Sequence, residues 1–302
     1  MENKQLKIVF FGTPEFAVRP LEALIEAGFN VAGVITGLDK PIGRKQFLTL
    51  PPVKVLAEKH GLPVYQPKDK NELLEFLKNI QPDLAVVAAF GMIFTKEMLE
   101  IPKYGFLNIH ASLLPKWRGA SPIQSAILNG DKETGITIML LNEKMDEGPI
   151  LAISNLKSLP ADATHQALQA GQISKLTYKE LEEKLAEIGG KLLVETIPKW
   201  INGKIKPQSQ DHSQATYTQK IAKEDGLIDW NETPEIIERK IRAYNHWPGA
   251  YTFIGGKRLI ITQAEIKNNG LKIKRVKPEG KNEMIFEDYL AGNPNENLKK
   301  YL

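Results

Sequence analysis

The run Asp83-Leu-Ala-Val-Val-Ala-Ala-Phe90 is almost wholly apolar, with no polar residue between its ends. A strand of that kind is buried on both faces, as in a parallel sheet covered by helices on each side. Its surroundings agree. Leu6–Phe11 and Val31–Ile35 read as strands, Val53–His60 as a short helix stopped by Gly61, and Pro63–Tyr65 as a brief strand. Helical spacing puts Phe16, Leu21, Leu24 and Ile25 on one apolar face before Gly28, and Leu73, Leu74 and Leu77 on another. Strand and helix alternate, which defines an α/β chain: a Rossmann-like, doubly wound, mostly parallel sheet. The first strand-to-helix turn, Gly12-Thr-Pro-Glu15, lacks the G-x-G-x-x-G fingerprint, so a nicotinamide dinucleotide is not indicated.

Chemistry concentrates between Gly105 and Pro122. Phe106, Leu107 and Ile109 are strand formers, and Asn108, His110 and Ser112 are interleaved with them at a period of two. Alternate strand residues share a face, so Asn108 and His110 are expected side by side at the end of a buried strand. An amide there can hydrogen-bond a developing oxyanion and a neutral imidazole can accept a proton, the two services that acyl transfer to an amine requires. The same pair also suits a satisfied core histidine beside a turn asparagine. Leu114-Pro115 ends the strand and is expected to be cis, and Ser121-Pro122 opens a helix that Gly130 stops. A polar strand end, a proline-shaped loop and a helix N-terminus make a crevice of the sort in which open α/β sheets bind ligands, and Phe90-Gly91 should border it.

Composition narrows the classes. At 302 residues, with 42% hydrophobic residues and a net charge of +4, the chain has room for two domains and tolerates a polyanionic partner without demanding one. It has no cysteine, which removes structural disulfides, thiolate nucleophiles and cysteine-based metal sites. No apolar leader and no run approaching a membrane span is seen, so a cytoplasmic protein with no membrane partner is expected, and a monomer. The long loop Thr36–Pro52 mixes glycine, proline and the cations Lys40, Arg44 and Lys45. Its glycine spacing is wrong for a phosphate loop, and it reads equally as an anion-binding arm or as a mobile surface loop with incidental charge.

Further along, Gly135–Leu141 and Gly148–Ile153 read as two strands joined by Asn142–Glu147. In that connection Asp146 could fold over the crevice toward His110, though from sequence alone it reads first as a turn aspartate. Ala163–Lys175 is Gln- and Ala-rich and suggests helix, and Tyr178–Trp200 is a long amphipathic helix with Leu181, Leu185, Ile188 and Leu192 inward. The polar stretch 204–215 has no apolar periodicity and is taken as a linker, dividing a catalytic domain over 1–203 from a second domain over 216–302. The second begins at Tyr217–Ile221 and has a helix over Pro234–Tyr244. Short strands follow at Thr252–Ile254, Arg258–Ile266, Leu271–Val276 and Glu283–Phe286. These suggest a small OB-like β-barrel, truncated where strand-forming sequence is missing between Ile266 and Leu271. Lys272, Lys274, Arg275 and Lys277 cluster there as a strip suited to phosphate or to a solvated face.

Phe11-Gly-Thr-Pro-Glu-Phe-Ala17, Pro41-Ile-Gly-Arg44, Asn108-Ile-His110, Ser112-Leu-Leu-Pro115, Trp117-Arg-Gly119 and Asp146 together resemble the methionyl-tRNA formyltransferases, within the folate-dependent formyltransferase superfamily. The likeness runs over nearly the whole chain. It implies transfer of a formyl group from 10-formyltetrahydrofolate, the donor substrate, to the amino group of methionine on initiator tRNA, with no metal. Mapped by motif, His110 takes the amine proton, Asn108 bonds the oxyanion and Asp146 holds His110. Phe90, Gly91, Ser112, Leu113, Leu114 and Pro115 receive folate. The resemblance sends the Arg44 loop, with Lys40 and Lys45, to the acceptor stem, and Lys272, Lys274, Arg275 and Lys277 of the barrel to tRNA. Two other readings compete: a formyltransferase for a nucleotide-linked amino sugar, and a tRNA-binding module whose α/β domain is idle.

Overall fold

The structure, a computed structural model, describes residues 5–42, 47–156 and 172–293. These fall into two compact units, one drawn from Met1–Gly119, Thr134–Pro160 and Glu183–Tyr217, the other from Ala120–Glu133, Ala161–Glu182 and Thr218–Leu302. Two units appear where two domains are expected, but the division does not follow the chain. The helix opened by Pro122 clusters with the C-terminal residues, and all of 204–215 clusters with the first unit.

The first unit runs through β1 (Lys7–Gly12), α1 (Val18–Glu26), β2 (Asn30–Ile35), the short strands β3 (Lys40–Ile42) and β4 (Phe47–Thr49), and α2 (Pro52–Lys59). It continues with β5 (Val64–Tyr65), α3 (Lys70–Ile80), β6 (Leu84–Ala88), α4 (Lys96–Leu99), β7 (Phe106–His110) and β8 (Arg118–Gly119). After α5 (Pro122–Asn129), which belongs to the second unit, come β9 (Gly135–Leu140), β10 (Ile150–Asn155), α6 (Tyr178–Ile201) and β11 (Tyr217–Thr218). Among the described residues no helix is long and apolar enough to cross a membrane.

Seven strands form one sheet in the order β10-β9-β7-β6-β1-β2-β5. The five from β7 to β5 are parallel, while β9 runs antiparallel to both β7 and β10. All five residues of β6 are buried, as its sequence requires of a central parallel strand. On one face Phe11, Phe94 and Phe106 meet with ring centroids 4.8–5.6 Å apart, beside Leu73 and Leu77 of α3. Connections leave β1 in both directions across the sheet, so the switch point lies between β1 and β6. The carboxyl ends there carry Thr13 and Ala89 and adjoin the end of β7.

Helix α6 backs β7 in a way its leucine pattern does not reveal. Leu181, Leu185 and Ile188 are buried as expected, but Leu193 rather than Leu192 completes the face. A Cβ at Gly189 would stand 2.9 Å from Ile109 Cγ2, and one at Gly190 would stand 3.0 Å from Ala23 Cβ. The glycine pair therefore lets α6 lie close against β7 and α1, and Ile109, whose side chain meets it, is the residue between Asn108 and His110. A Cβ contact of 2.9 Å is essentially never seen, so an alanine at Gly189 would push Ile109 of β7 or the helix aside.

The second unit contains α5, α7 (Pro234–Ala243), β12 (Ala250–Ile254), β13 (Lys257–Lys267), β14 (Gly270–Pro278), β15 (Met284–Ile285) and α8 (Phe286–Ala291). The strands pair antiparallel in sequence order, β12-β13-β14-β15, over a core that includes Ile237, Ile241, Leu259, Ile261, Ile273, Val276 and Phe286. The expected gap between Ile266 and Leu271 is a correction. Lys267 pairs with Gly270, and Asn268 and Asn269 form a two-residue turn with φ of 52° and 60°, so β13 and β14 join in a tight hairpin with nothing missing. Phe286, expected to end a strand, begins α8 because its ring is needed in the core.

Candidate active site

Asn108 and His110 lie on the same side of β7 at its carboxyl end, and Asp146, from the β9–β10 connection, reaches both. Asp146 Oδ1 is 3.5 Å from Asn108 Nδ2, and Oδ2 is 3.6 Å from His110 Nδ1. The third contact is firmer: the Gly119 backbone N–H donates to Asp146 Oδ2 at 2.8 Å. The carboxylate is thus anchored to Gly119 and stands within loose reach of the two side chains, a distance that a reacting group can share.

The other ring nitrogen, His110 Nε2, lies 2.9 Å from the Trp117 carbonyl oxygen. A carbonyl only accepts, so in the neutral ring the proton sits on Nε2 and Nδ1 keeps its lone pair. A ring held in this tautomer is ready to accept a proton at Nδ1, where the Asp146 carboxylate would balance the resulting charge. His110 is 5% exposed. Asn108 and Asp146 are half-buried and form the accessible edge of the trio.

Backbone strain is concentrated around this trio. Ala89, Trp117 and Asp146 all have left-handed φ, of 47°, 58° and 52°. For residues with a Cβ this conformation costs roughly 1–2 kcal/mol each, less for aspartate. A hydrogen bond to a charged group contributes about 1.5–3 kcal/mol, so the Gly119 contact alone can offset the strain at Asp146. The Leu114–Pro115 bond is cis, as expected. Thr137 shapes this loop from β9: it faces His110 in register, donates to the Ser112 carbonyl at 2.7 Å and accepts from the Leu114 N–H at 3.1 Å.

A second layer comes from the segment taken as a linker. Gln208 and Ile150 exchange backbone hydrogen bonds at 2.8 Å in both directions. Gln210, 6% exposed, donates from Nε2 to the carbonyls of Asp146 and Gly148 at 2.8 and 2.7 Å. Its Oε1 accepts from Arg118 Nε at 3.1 Å and Nη2 at 2.7 Å. Arg118 is completely buried, and its remaining donors face Glu147 at 3.5 Å, Tyr217 Oη at 3.4 Å and His212 Nδ1 at 3.1 Å. An unpartnered buried guanidinium would cost several kcal/mol, so this set of acceptors is a condition of the fold. Thr216 accepts from the Trp117 N–H on Oγ1 and from the Arg118 N–H on its carbonyl, each at 2.9 Å. Sequence reasoning missed Gln210 and Thr216, because a polar stretch without periodicity carries no signal of what it will touch.

The remaining expected residues are distributed as follows. Phe90 is half-buried against Phe11 at 5.4 Å, and Gly91 is exposed. Leu113 and Pro115 are half-buried, whereas Ser112 and Leu114 are buried, the Ser112 hydroxyl donating to the Lys116 carbonyl at 2.5 Å. Lys40 is exposed on β3, paired across from Thr49, while Arg44 and Lys45 lie outside the described residues. The base of this loop is tied down by Asp39, which accepts from Lys54 at 2.8 Å and from Gln66 at 2.9 Å. The lysine, and then the glutamine, hold its carboxyl below the ordinary carboxylate value. Beside it Leu38, Phe47 and Leu48 are 47%, 67% and 69% exposed. On β14, Lys272 and Lys277 flank two committed cations: Lys274 pairs with Glu265 at 2.8 Å and Arg275 with Glu283 at 3.4 Å.

An amide, a tautomer-fixed imidazole and an anchored carboxylate at the carboxyl end of β7 are the equipment of a group transferase acting on an amine. Residues 6–197 match the formyl transferase family, and residues 220–272 match the formyl transferase C-terminal domain. The chain belongs to the formyl transferase family. Within it, the chain is 47% identical over 263 residues to methionyl-tRNA formyltransferase of Chloroflexus aurantiacus, covering 86% of this chain and 80% of that protein. It is 42% identical over 315 residues to the protein of that name from Halalkalibacterium halodurans, covering 95% of each. Among solved structures, methionyl-tRNA formyltransferase from Clostridium thermocellum superposes with a TM-score of 0.58 at 20% identity, over 90% of this chain and 98% of that one. An N-formyltransferase from Helicobacter canadensis, solved with folinic acid and dTDP-3-aminofucose, gives 0.64 at 20% identity over 93% and 95%. At that identity the two structures share the fold.

Proposed function

We propose that this protein transfers the formyl group of 10-formyltetrahydrofolate to the amino group of methionine carried on initiator tRNA. The observation that carries this reading is the meeting of Asn108, His110 and Asp146 at the end of β7, in a chain with 42% identity over 95% of its length to a methionyl-tRNA formyltransferase. The amine attacks the formyl carbon, and the donor oxygen becomes an oxyanion that the second N–H of Asn108 Nδ2 can meet while the first faces Asp146. His110 Nδ1 takes the amine proton, and the Asp146 carboxylate stabilises the imidazolium before the proton passes to the leaving folate nitrogen. Orientation supplies much of the rate, since neither a covalent intermediate nor a change of oxidation state is involved.

Folate would lie against Phe90, Gly91, Leu113 and Pro115, with buried Ser112 and Leu114 acting through the shape of their loop. The acceptor stem would be met by the Lys40–Arg44–Lys45 loop, and the tRNA body by Lys272 and Lys277, with smaller shares from Lys274 and Arg275 because Glu265 and Glu283 already partner them. The protein works as a cytoplasmic monomer. A nucleotide-linked amino sugar is the competing acceptor, and it would use the same trio. Offering methionyl-tRNA and such a sugar in parallel, with labelled 10-formyltetrahydrofolate, separates the two: label is expected on the tRNA, and label on the sugar alone would replace this reading.

A further inference from the structure

We propose that Gln210 is a positioning residue for the catalytic carboxylate, and that the 208–217 segment joins the loop carrying Asp146 to the loop carrying the His110 acceptor. The proposal rests on the reading of Asn108, His110 and Asp146 as the formyl-transfer site. Asp146 has two ends to hold. Its carboxylate is held by the Gly119 N–H at 2.8 Å and its carbonyl by Gln210 Nε2 at 2.8 Å, across a residue with φ of 52°. Both contacts are needed to fix where Oδ2 stands relative to the imidazole, because a left-handed aspartate freed at either end can relax toward an ordinary conformation.

The same amide group reaches the other loop. Gln210 Oε1 takes two hydrogen bonds from the Arg118 guanidinium, which is fully buried. Arg118 directly follows Trp117, whose carbonyl holds His110 Nε2. Thr216 secures the N–H groups of Trp117 and Arg118, and Gln208 secures the segment's other end through Ile150. A single buried side chain therefore ties the acid's main chain to the loop whose Trp117 carbonyl sets the ring tautomer.

The chemistry of the group narrows which residue can serve. A primary amide offers two donors for the carbonyls of Asp146 and Gly148 and an acceptor for Arg118, without adding charge beside Asp146. Glutamate would keep the acceptor but turn an oxygen toward two carbonyls. Gln210→Glu thus preserves the partner of the buried arginine while it removes the grip on the Asp146 loop and adds one negative charge. Gln210→Ala removes the grip without that charge, so a kcat loss common to both reads positioning apart from satisfaction of Arg118 and from charge.

The experiment compares wild type, Gln210→Glu, Gln210→Ala and His110→Ala in the full chain. It measures kcat, KM for methionyl-tRNA and for 10-formyltetrahydrofolate, the unfolding midpoint, and the 15N resonances of the His110 ring. Gln210→Glu is expected to lower kcat by about 10–100-fold, the scale of an ångström misplacement. Both KM values should stay within about twofold, and the His110 ring resonances should shift. Gln210→Ala should add a lower unfolding midpoint. Unchanged kcat and unchanged ring resonances in Gln210→Glu would overturn the proposal, as would a loss confined to the midpoint or to the KM for tRNA. Full activity in His110→Ala would instead overturn the reading of the trio, and the ring resonances would still judge the brace if wild type proved to formylate a different amine.

Discussion

Left-handed backbone occurs in both units, on different terms. In the β13–β14 hairpin it falls on Asn268 and Asn269, residues that tolerate it, in a turn whose twist requires it. Around the trio it falls on Ala89, Trp117 and Asp146, two of which have no local reason to adopt it. The hairpin is satisfied by its own sequence. At the site Asp146 is held against its local preference by Gly119 and Gln210, and Trp117 by Thr216, the last two 64 and 99 residues along the chain from what they hold. Strain at the site marks geometry imposed by tertiary structure, and its absence in the hairpin marks geometry the chain supplies locally.

The largest effects that would break this contrast are in the trio. His110→Ala or Asn108→Ala should cut formyl transfer by about 10²–10⁴-fold with little change in unfolding midpoint, and near wild-type turnover in either would remove the reason for the strain. Asp146→Asn keeps size and tolerance of the left-handed region while removing charge. Its loss in kcat should be on the order of 100-fold, smaller than that of His110→Ala in the same assay.

Stability measurements sharpen the contrast further. Asn269→Val should destabilise the protein by about 1–2 kcal/mol in denaturant unfolding and leave kcat alone, because a β-branched residue is misplaced in that turn. Ala89→Gly should be neutral to about 1 kcal/mol stabilising, since relief of the left-handed strain outweighs the added freedom of the unfolded chain. A clear loss of stability there would show that Ala89 is not strained.

The smallest effects belong to the charges on β14. Lys272→Ala or Lys277→Ala should each reduce the salt dependence of tRNA binding by about one unit of slope, and Lys274→Ala by less, as Glu265 already partners that lysine. The same pairing makes a pH statement. Lys274, by its hydrogen bond, holds the Glu265 carboxyl below its ordinary 4.5, and Thr262, then Arg275, hold that of Glu283 down. A carboxyl depressed in the folded state stabilises above its unfolded value and loses that contribution as pH falls through the folded one. Acid titration of stability should therefore be shallower below pH 4.5 in Glu265→Gln, and an unchanged curve would contradict the pairing.

Much of the fold was legible because its signals are local. The apolar run of β6, the alternation in β7 and the leucine spacing of α3 each report the environment of a few neighbouring residues, and the parallel sheet follows from them. The juxtaposition of Asn108 and His110 was legible for the same reason, as a consequence of strand periodicity. Asp146 was legible as an acid in the right connection and, through resemblance, as a partner of His110, while sequence alone left it a turn residue. The hairpin at Asn268-Asn269 was misread as a gap because two asparagines carry no strand propensity, although they are among the strongest formers of that turn.

By itself the sequence determined the class of fold, the strand that carries the amide and the imidazole, and the family to which the chain belongs. Tertiary structure alone decided which ring nitrogen is free to take a proton, why α6 needs Gly189 behind Ile109, and that residues 208–217 brace the site instead of spanning a gap. The physical reason is range. Periodicity and turn chemistry are fixed within a few residues, whereas a carbonyl that chooses a tautomer and an amide that grips a strained aspartate, 64 residues distant, act only once the folded chain has brought them together.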